Sequence, residues 1–270
     1  MNRTRRMLTK KTVPRKPIPH DLNQGDEIGC GSFGTIYAID DHTVVKVWDK
    51  SAWMEFKQEQ HILNKLRCST FPQMLDFGFC GKQKRAWITL PRYYATLEDD
   101  PEPGPDCLDR VGTQLLRQIQ NLHDHDIIHR DIKPKNIMWR TKDKVEIVLI
   151  DFGTACSTLR SGSKKPKPRL RNQFCCTTYA FASDNALLEF SQSKRDDIES
   201  LVWTLHDNKR SPYYPMYCHE SNHEMLRRRR LPRDKYLRAI LRYTRGLKFK
   251  QTPNYDIIVY QLNFFYKKKL

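Results

Sequence analysis

Residues 127–153 constrain this chain more than any other part of its sequence. They include Ile-Ile-His-Arg-Asp-Ile-Lys-Pro-Lys-Asn-Ile-Met and later Val-Leu-Ile-Asp-Phe-Gly, so two polar clusters are set among apolar residues. Asp131 is a candidate acceptor for the proton of a hydroxyl group, and Lys133 could neutralise a phosphate in flight. Asn136 and Asp151 carry hard oxygen atoms that suit Mg²⁺. These are the residue types that phosphoryl transfer requires.

The order and spacing of these clusters resemble the catalytic loop and the metal-binding Asp-Phe-Gly of protein kinases. Asp131 and Asn136 keep the five-residue spacing of that loop. Between the clusters, residues 145–150 are mostly apolar and β-branched, which predicts a buried strand. One such motif alone arises often by chance, but the two in this order favour the kinase interpretation.

Composition narrows the class of protein further. The chain has 270 residues and is 39% hydrophobic, without a run of eighteen apolar residues, so we expect no membrane span and an intracellular location, cytoplasmic or nuclear. Eight cysteines without Cys-x-x-Cys pairs indicate reduced thiols. The net charge of +17 indicates anionic partners, namely acidic proteins, phosphorylated proteins or nucleic acid, with a solvated surface as the alternative.

Glycines at positions 29, 31 and 34 interrupt a strand-like segment. They weaken a strand but allow the backbone to approach a ligand closely. A Rossmann fingerprint would need a helix directly after them, whereas a turn and a second strand at 43–48 follow, which predicts a hairpin. The pattern matches the glycine-rich loop that covers ATP phosphates in kinases. It gives these candidate ATP contacts: Ile28, Gly29, Cys30, Gly31, Ser32, Phe33, Gly34 and Ile36.

Lys46 lies in this second strand among apolar residues. It either points to solvent by strand alternation or meets a buried acid. Ser51 is a candidate N-cap for the next helix, in which Phe56 and Glu59 fall on one apolar face. Because a carboxylate on a buried face requires a partner, we predict that Glu59 pairs with Lys46, with Glu55 as the alternative.

Two more strands are predicted, at 71–79 and 86–90, before Leu90-Pro91-Arg92-Tyr93. This tetrapeptide has the place of the hinge that holds adenine in kinases. Because proline lacks an amide hydrogen, adenine contacts here would use carbonyls and the next amides. The resemblance adds these expected ATP contacts: Val44, Leu90, Arg92 and Met138.

Residues 152–183 have the place of the activation segment and contain six basic residues and no acid. The basic residues are Arg160, Lys164, Lys165, Lys167, Arg169 and Arg171. We expect them to favour acidic or pre-phosphorylated substrates, with nucleic-acid binding or simple solubility as the alternatives. Nothing in the segment has the form of an acid-containing phosphorylation site, so we expect activity without its phosphorylation.

Three features together resemble the casein-kinase-I group, including its vaccinia-related branch. Ser183 replaces the usual Pro-Glu, residues 194–201 read Lys-Arg-Asp-Asp-Ile-Glu-Ser-Leu, and residues 243–249 read Tyr-Thr-Arg-Gly-Leu-Lys-Phe before a Pro-Asn-Tyr at 253–255. The resemblance spans residues 25–266. A short, proline-rich segment between hinge and helix favours a compact kinase such as large viruses encode.

The resemblance implies an α+β, two-lobed protein-kinase fold. A small antiparallel β lobe with one helix is expected at 21–91 and a larger, mainly helical lobe at 92–270. Residues 1–20, with seven Lys or Arg and no acid, are expected to form a flexible basic arm. ATP with Mg²⁺ would bind between the lobes, the acceptors would be Ser or Thr hydroxyls of proteins, and the protein is expected to be a monomer.

The resemblance also assigns roles to individual residues. Lys46 would hold the α- and β-phosphates, while Asp151 and Asn136 would hold the metal. Asp131 would orient and deprotonate the hydroxyl, and Lys133 would stabilise the transferring phosphoryl group.

Two supporting residues and two alternatives complete the interpretation. Thr178 is expected to form a hydrogen bond near Asp131 and Lys133. Asp197 is expected to anchor the backbone of the catalytic loop or to cap its own helix. One alternative is a pseudokinase scaffold, against which the complete set of catalytic residue types argues. The other is a nucleic-acid-binding protein on a kinase fold, favoured by the basic segments, including residues 227–230, but without a stacking-aromatic motif.

Overall fold

The computed structural model describes residues 14, 16, 18, 27–30, 34–100, 105–172, 179–206, 226 and 231–267. The chain divides into two compact units, Met1–Phe56 with Met74–Arg92 and Lys57–Gln73 with Tyr93–Leu270. An antiparallel sheet in the first unit and helices in the second confirm the predicted α+β class. The arm at 1–20 and the lobe bounds 21–91 and 92–270 stay predictions.

A five-stranded antiparallel sheet forms the first unit, in the order β1-β2-β3-β5-β4. Its strands are β1 Glu27–Cys30, β2 Thr35–Ala38, β3 Thr43–Trp48, β4 Asp76–Cys80 and β5 Arg85–Pro91. The register pairs Ile36 with Lys46 and Val44 with Leu90. Because opposite residues share a face of a sheet, as do residues two apart, these four side chains lie on one face.

The turn between β2 and β3 forms as the sequence predicts. The side chain of Asp40 accepts a hydrogen bond of 2.7 Å from the backbone N–H of His42, which is how an aspartate shapes a tight turn.

Residues near the N-terminus contact the edge and the other face of this sheet. The backbone N–H of Phe79 donates to the carbonyl of Pro14 at 3.0 Å, and Lys16 Nζ lies 2.8 Å from the carboxylate of Asp76. Ile18 packs against buried valines and Trp87. At these three positions the N-terminal segment is therefore held against the sheet.

Several element ends differ from the sequence-based expectation. The expected strand at 71–79 begins only at Asp76. The side-chain amide of Gln73 donates to the carbonyls of Leu66, Cys68 and Phe71, which holds the preceding residues in an irregular turn. Ser51 was wrong as the N-cap, because it lies within a 3₁₀ turn, Lys50–Ala52, that precedes the helix.

The second unit is mainly helical. Its helices are α2 Pro105–Asp124, α3 Asp184–Leu187, α4 Lys194–His206, α5 Lys235–Gly246 and α6 Tyr255–Lys267, while α1 Trp53–Lys65 is divided between the units. Pro105 suits the first turn of α2, where the helix has no use for its missing N–H. Among the described residues, no helix is both long and apolar enough to cross a membrane.

Short strands place the polar clusters of the sequence beside each other. They are β6 Ala95–Thr96, β7 Ile127–Ile128, β8 Ile137–Trp139, β9 Ile147–Leu149 and β10 Cys156–Ser157. β8 and β9 form an antiparallel hairpin, and β7 pairs with β10. The first cluster lies between β7 and β8 and the second lies between β9 and β10, so strand pairing brings the two together.

Candidate active site

Asp131, Lys133 and Asn136 meet in the loop between β7 and β8. Lys133 Nζ lies 2.8 Å from Asp131 Oδ2, and the two side chains are only 12% and 10% exposed. The Asn136 side-chain amide donates to the same Oδ2 at 2.9 Å and to the Asp131 backbone carbonyl at 2.8 Å. A 3₁₀ turn, Pro134–Asn136, returns the chain so that Asn136 faces Asp131.

Asp151 adopts an uncommon backbone conformation at the end of the β8–β9 hairpin. Its φ is +62°, in the left-handed region that few residues other than glycine adopt. The N–H of Ile150 donates to the carbonyl of Asn136 at 2.9 Å, which ties the second polar cluster to the first. Backbone conformations of this cost concentrate at functional sites.

The donor set of Asn136 and Asp151 fits a hard divalent cation. Because the amide nitrogen of Asn136 is engaged by Asp131 in two hydrogen bonds, the oxygen of the same amide faces away from that residue. Asp151 adds a carboxylate. One amide oxygen and one carboxylate, completed by water and phosphate oxygens, are typical of protein-bound Mg²⁺.

His129 supports the catalytic loop from inside the unit. It is fully buried; its Nε2–H donates to the carbonyl of Ile150 at 3.0 Å, and its Nδ1 accepts from the N–H of Asp131 at 3.3 Å. Its ring packs on Phe152 at 5.2 Å, and Phe152 packs on Phe71 at 5.9 Å. Burial lowers the pKa of His129 below its ordinary value of 6.5, although nearby carboxylates oppose this.

Asp197 of α4 binds the backbone of the same loop. Its two carboxylate oxygens accept from the N–H groups of His129 at 2.7 Å and Arg130 at 2.9 Å, and one of them also contacts His123 Nε2 at 3.0 Å. Burial alone would raise the pKa of Asp197, but the hydrogen bonds from His123 and from the loop backbone bring it below its ordinary value of 3.8. The side chain therefore remains a charged anchor for the loop.

The first unit carries most residues that were predicted to contact ATP. Lys46 is 5% exposed, with its Nζ 5.0 Å from the centroid of the Trp48 ring. A Cβ at Gly34 would lie 2.7 Å from the carbonyl oxygen of Val47, so only glycine fits there, whereas Gly29 has open space around it. Ile28 and Cys30 are exposed. Gly31, Ser32 and Phe33 lie outside the described residues, as does Thr178.

Leu90, Pro91 and Arg92 of the hinge-like tetrapeptide also belong to the first unit, whereas Tyr93 belongs to the second. Leu90 is half-buried in β5, opposite Val44. The backbone N–H of Arg92 donates to the carbonyl of His42 at 2.7 Å, and its guanidinium donates to the carbonyl of Asp40 at 3.1 Å. The Arg92 side chain is thus turned toward the β2–β3 turn.

Met138 and Glu59 lie in the second unit. Met138 is half-buried in β8, opposite Val148 of β9. Glu59 is 2% exposed on α1, whereas Glu55 is half-buried, with an Oε2 atom that lacks a hydrogen-bond partner among the described residues. Because Lys46 belongs to the other unit, the Lys46–Glu59 pair stays a prediction.

Residues from three distant motifs contact one another around α4. Ser183 caps α3 by accepting from Ala186, and its hydroxyl donates to Asp196 at 2.7 Å. The Arg245 guanidinium lies 2.7 Å from Glu199. The sequence contained each motif, but it gave no sign that these polar residues would be partners, because the pairs are separated by many positions and share no periodicity.

The basic residues of the activation segment are exposed. Residues 158–167 form a tight hairpin, in which Lys167 N–H donates to the carbonyl of Thr158 at 2.8 Å and Arg160 N–H to that of Lys165 at 2.9 Å. A cavity of about 620 Å³ lies beside this hairpin. Most lining residues are neutral, but the basic ones outnumber the single acid, Asp126: Arg130, Arg160, Lys167, Lys194 and Lys250. The surface next to the catalytic loop is therefore positively charged.

Comparison with known proteins gives matches over much of the chain. The family model of the protein kinase domain matches residues 22–227. A probable casein kinase I homolog of Encephalitozoon cuniculi is 29% identical over 197 residues, which are 66% of this chain and 59% of the relative. The serine/threonine-protein kinase PKH2 of Candida albicans is 33% identical over 166 residues, which are 54% of this chain and 16% of the relative. The chain thus matches 59% or less of the length of these curated relatives.

Proposed function

Since the chain belongs to the protein kinase family, we propose that it transfers the γ-phosphate of ATP to serine or threonine hydroxyls of proteins. The observation that carries this proposal is the contact among Asp131, Lys133 and Asn136, tied by the backbone to the strained Asp151. The names of the two relatives, a casein kinase I homolog and a serine/threonine-protein kinase, support the same reaction class.

Asp131 acts on the acceptor hydroxyl in this proposal. Lys133 and Asn136 hold its Oδ2, so the carboxylate keeps one orientation and can accept the hydroxyl proton as the oxygen attacks. Lys133 brings a positive charge to the place where negative charge develops during transfer. Hydrogen bonds to the His129 ring and to the Asp197 carboxylate hold the loop backbone next to Asp131 in place.

ATP would supply the phosphoryl group, and Mg²⁺ would neutralise the charge of its phosphates. Asn136 and Asp151 would hold the cation. Lys46 would bind phosphate oxygens, and the apolar side chains on its face of the sheet would contact adenine. The glycine-rich loop would present its backbone N–H groups to the phosphates.

Within the family, the chain is proposed to be a member of the casein-kinase-I group or its vaccinia-related branch. Support comes from the contacts between the three distinguishing motifs, namely Ser183 with Asp196 and Arg245 with Glu199. The casein kinase I homolog among the relatives supports the same assignment. A viral source stays a prediction from the short segment between hinge and helix.

The proposed substrates are proteins with acidic or phosphorylated residues near the acceptor. Support comes from the exposed basic residues of the activation segment and from the basic side chains among the residues that line the cavity beside them. Several positive charges acting together would attract such substrates more strongly than any single ion pair. Nucleic-acid binding through the same residues, a monomeric state and a cytoplasmic or nuclear location stay predictions.

A peptide array with the purified 270-residue chain and labelled ATP tests the proposal. We expect Mg²⁺-dependent label on peptides with Ser or Thr and none on matched peptides with Tyr or Ala at the acceptor position. Chelation of the cation should abolish the label. The absence of label on every peptide and on the protein itself, at several metal concentrations, would refute the proposed activity.

A further inference from the structure

Three buried polar side chains form a line that ends at the catalytic loop. Tyr255, the first residue of α6, places its hydroxyl oxygen 2.7 Å from Nδ1 of His123 near the end of α2. His123 Nε2 lies 3.0 Å from Oδ2 of Asp197, whose carboxylate binds the two backbone N–H groups that precede Asp131. All three side chains are buried. Three helices are thus joined to the loop by one hydrogen-bonded chain.

The two end residues, Asp197 and Tyr255, decide which atom donates in each hydrogen bond. Because the pKa of Asp197 is lowered, its carboxylate has no proton to give, so Nε2–H of His123 donates to it. The other nitrogen, Nδ1, pairs with the Tyr255 hydroxyl, which donates to it when the imidazole is neutral. Burial, followed by the negative charges of Asp124 and Asp197, raises the pKa of Tyr255, so this hydroxyl keeps its proton.

The position of Tyr255 is fixed independently of its hydroxyl. Asn254 caps α6 by accepting from the N–H groups of Asp256 and Ile257 at 3.0 and 3.4 Å. The N–H of Asn254 donates to the hydroxyl of Tyr243 at 2.6 Å. Removal of the Tyr255 hydroxyl alone would therefore leave the start of the helix in place and remove only the hydrogen bond to His123 Nδ1.

We propose that Tyr255 is a positioning residue for phosphoryl transfer. Its hydroxyl fixes the tautomer and ring orientation of His123, and through Asp197 it fixes the backbone from which Asp131 projects. The kinetic part of this inference rests on the proposed kinase activity. The structural part, the ordering of the loop, does not.

Loss of the hydroxyl has a defined consequence. Nδ1 of His123 would then be buried without a donor, a state that buried polar groups avoid. The ring can relieve it by exchanging tautomers or by turning, and either change takes the donor away from Asp197. The carboxylate would hold the two loop N–H groups less firmly, and Asp131 would be less well oriented.

Three Tyr→Phe variants separate positioning from general stability. Tyr255→Phe should lower kcat about five- to thirty-fold while the KM for ATP changes less than about twofold, because only a transition-state alignment is lost. Tyr260→Phe, on the exposed side of the same helix, should match the wild type. Tyr243→Phe removes one hydrogen bond from the Asn254 backbone but leaves the Asn254 side-chain cap, the Tyr255 hydroxyl and His123 intact, so kcat should be kept.

A wild-type kcat for Tyr255→Phe, or an equal loss in Tyr243→Phe, overturns the proposal. His123→Gln allows a double-mutant cycle. Once the imidazole is gone, adding Tyr255→Phe should have no further effect on kcat. Additive losses in the double variant contradict an action through His123.

Hydrogen exchange gives a readout that does not need activity. In Tyr255→Phe, the amides of His129 and Arg130 should exchange faster than in the wild type and in both control variants, at conditions where all four proteins are folded. Unchanged exchange at these amides overturns the positioning role. If the wild type transfers no phosphate, the proposed function fails, while this exchange experiment still decides the role of Tyr255.

Discussion

Lys133 Nζ lies 2.8 Å from Asp131 Oδ2, and the side-chain amide of Asn136 donates a hydrogen bond to the same oxygen atom. One carboxylate oxygen is thus held by a cation and by a neutral donor within one short loop. The arrangement suits a base that must meet a hydroxyl in one orientation.

The partner of Lys46 can be tested with two isosteric changes on α1. Glu59→Gln should lower kcat/KM about 10–100-fold because Lys46 would lose the carboxylate that orients it, whereas Glu55→Gln should have little effect. In an experimental structure with an ATP analogue, Lys46 Nζ should lie within about 4 Å of a Glu59 oxygen. A structure with Glu55 in that place would contradict the assignment.

The sequence was sufficient for the local elements around the site. Alternating and apolar patterns predicted β3, and the spacing from Asp131 to Asn136 predicted a compact loop, since both depend on neighbours along the chain. Gln73 shows what such patterns miss. Its side chain donates to three backbone carbonyls and holds the residues before it in an irregular turn where a strand was expected, and no periodicity signals that competition.

Acid should destabilise the protein through His129. Its pKa is lowered in the folded state, so below its ordinary value of 6.5 the unfolded chain binds a proton that the folded chain does not. The free energy of unfolding is therefore unaffected by this group above pH 6.5 and decreases as the pH falls below that value. Asp197, with its lowered pKa, acts only at still lower pH.

Thermal unfolding between pH 7 and pH 5 measures this effect. A loss of about 1 kcal/mol corresponds to about 2–4 °C in Tm for a chain of this size. His129→Gln, whose amide can still donate to Ile150, should reduce the drop in Tm by about this amount. His125→Gln, at an exposed position, should leave it unchanged. Parallel pH curves for the wild type and His129→Gln would contradict the prediction.

The activation segment should not need phosphorylation. Arg130 Nε donates to the carbonyl of Thr154 at 2.6 Å, and backbone hydrogen bonds close the hairpin at 158–167, so main-chain contacts already order this region. Protein treated with phosphatase should keep its specific activity. Activity that vanishes on this treatment and returns on rephosphorylation would contradict the prediction.

Substrate preference should follow the positive charge of the activation segment. Each exposed ion pair is worth about 0–1 kcal/mol, but several together could favour acidic over neutral peptides by about tens-fold. The measurement is kcat/KM for matched acidic, neutral and basic peptides at low and high salt. The margin for acidic peptides should shrink as salt rises, because exposed charges are screened.

Matched alanine variants locate the charge responsible. Lys164→Ala with Lys165→Ala should reduce the acidic margin and leave the neutral peptide unaffected. Lys82→Ala with Lys84→Ala, at exposed positions of the first unit, should change neither. Equal rates for all peptides, or a preference for basic ones, would contradict the prediction.

Long-range polar contacts account for most of what the sequence did not predict. His123 and Tyr255 are 132 positions apart and bond within the core of the second unit, and Glu199 meets Arg245 across 46 positions. Each residue reads locally as part of an ordinary helix. Only the packing of α2, α4, α5 and α6 decides which of these polar groups become partners.

The most direct test of the central claim is phosphoryl transfer by Asp131→Asn, which keeps the size of the side chain and removes its ability to take a proton. With Mg²⁺ and labelled ATP, transfer to a Ser or Thr peptide should fall by about two or more orders of magnitude, while ATP binding stays close to that of the wild type. Asp143→Asn, at an exposed position of the same unit, is the matched control and should keep full activity. Transfer by Asp131→Asn at the wild-type rate would contradict the assignment of Asp131 as the residue that activates the acceptor hydroxyl.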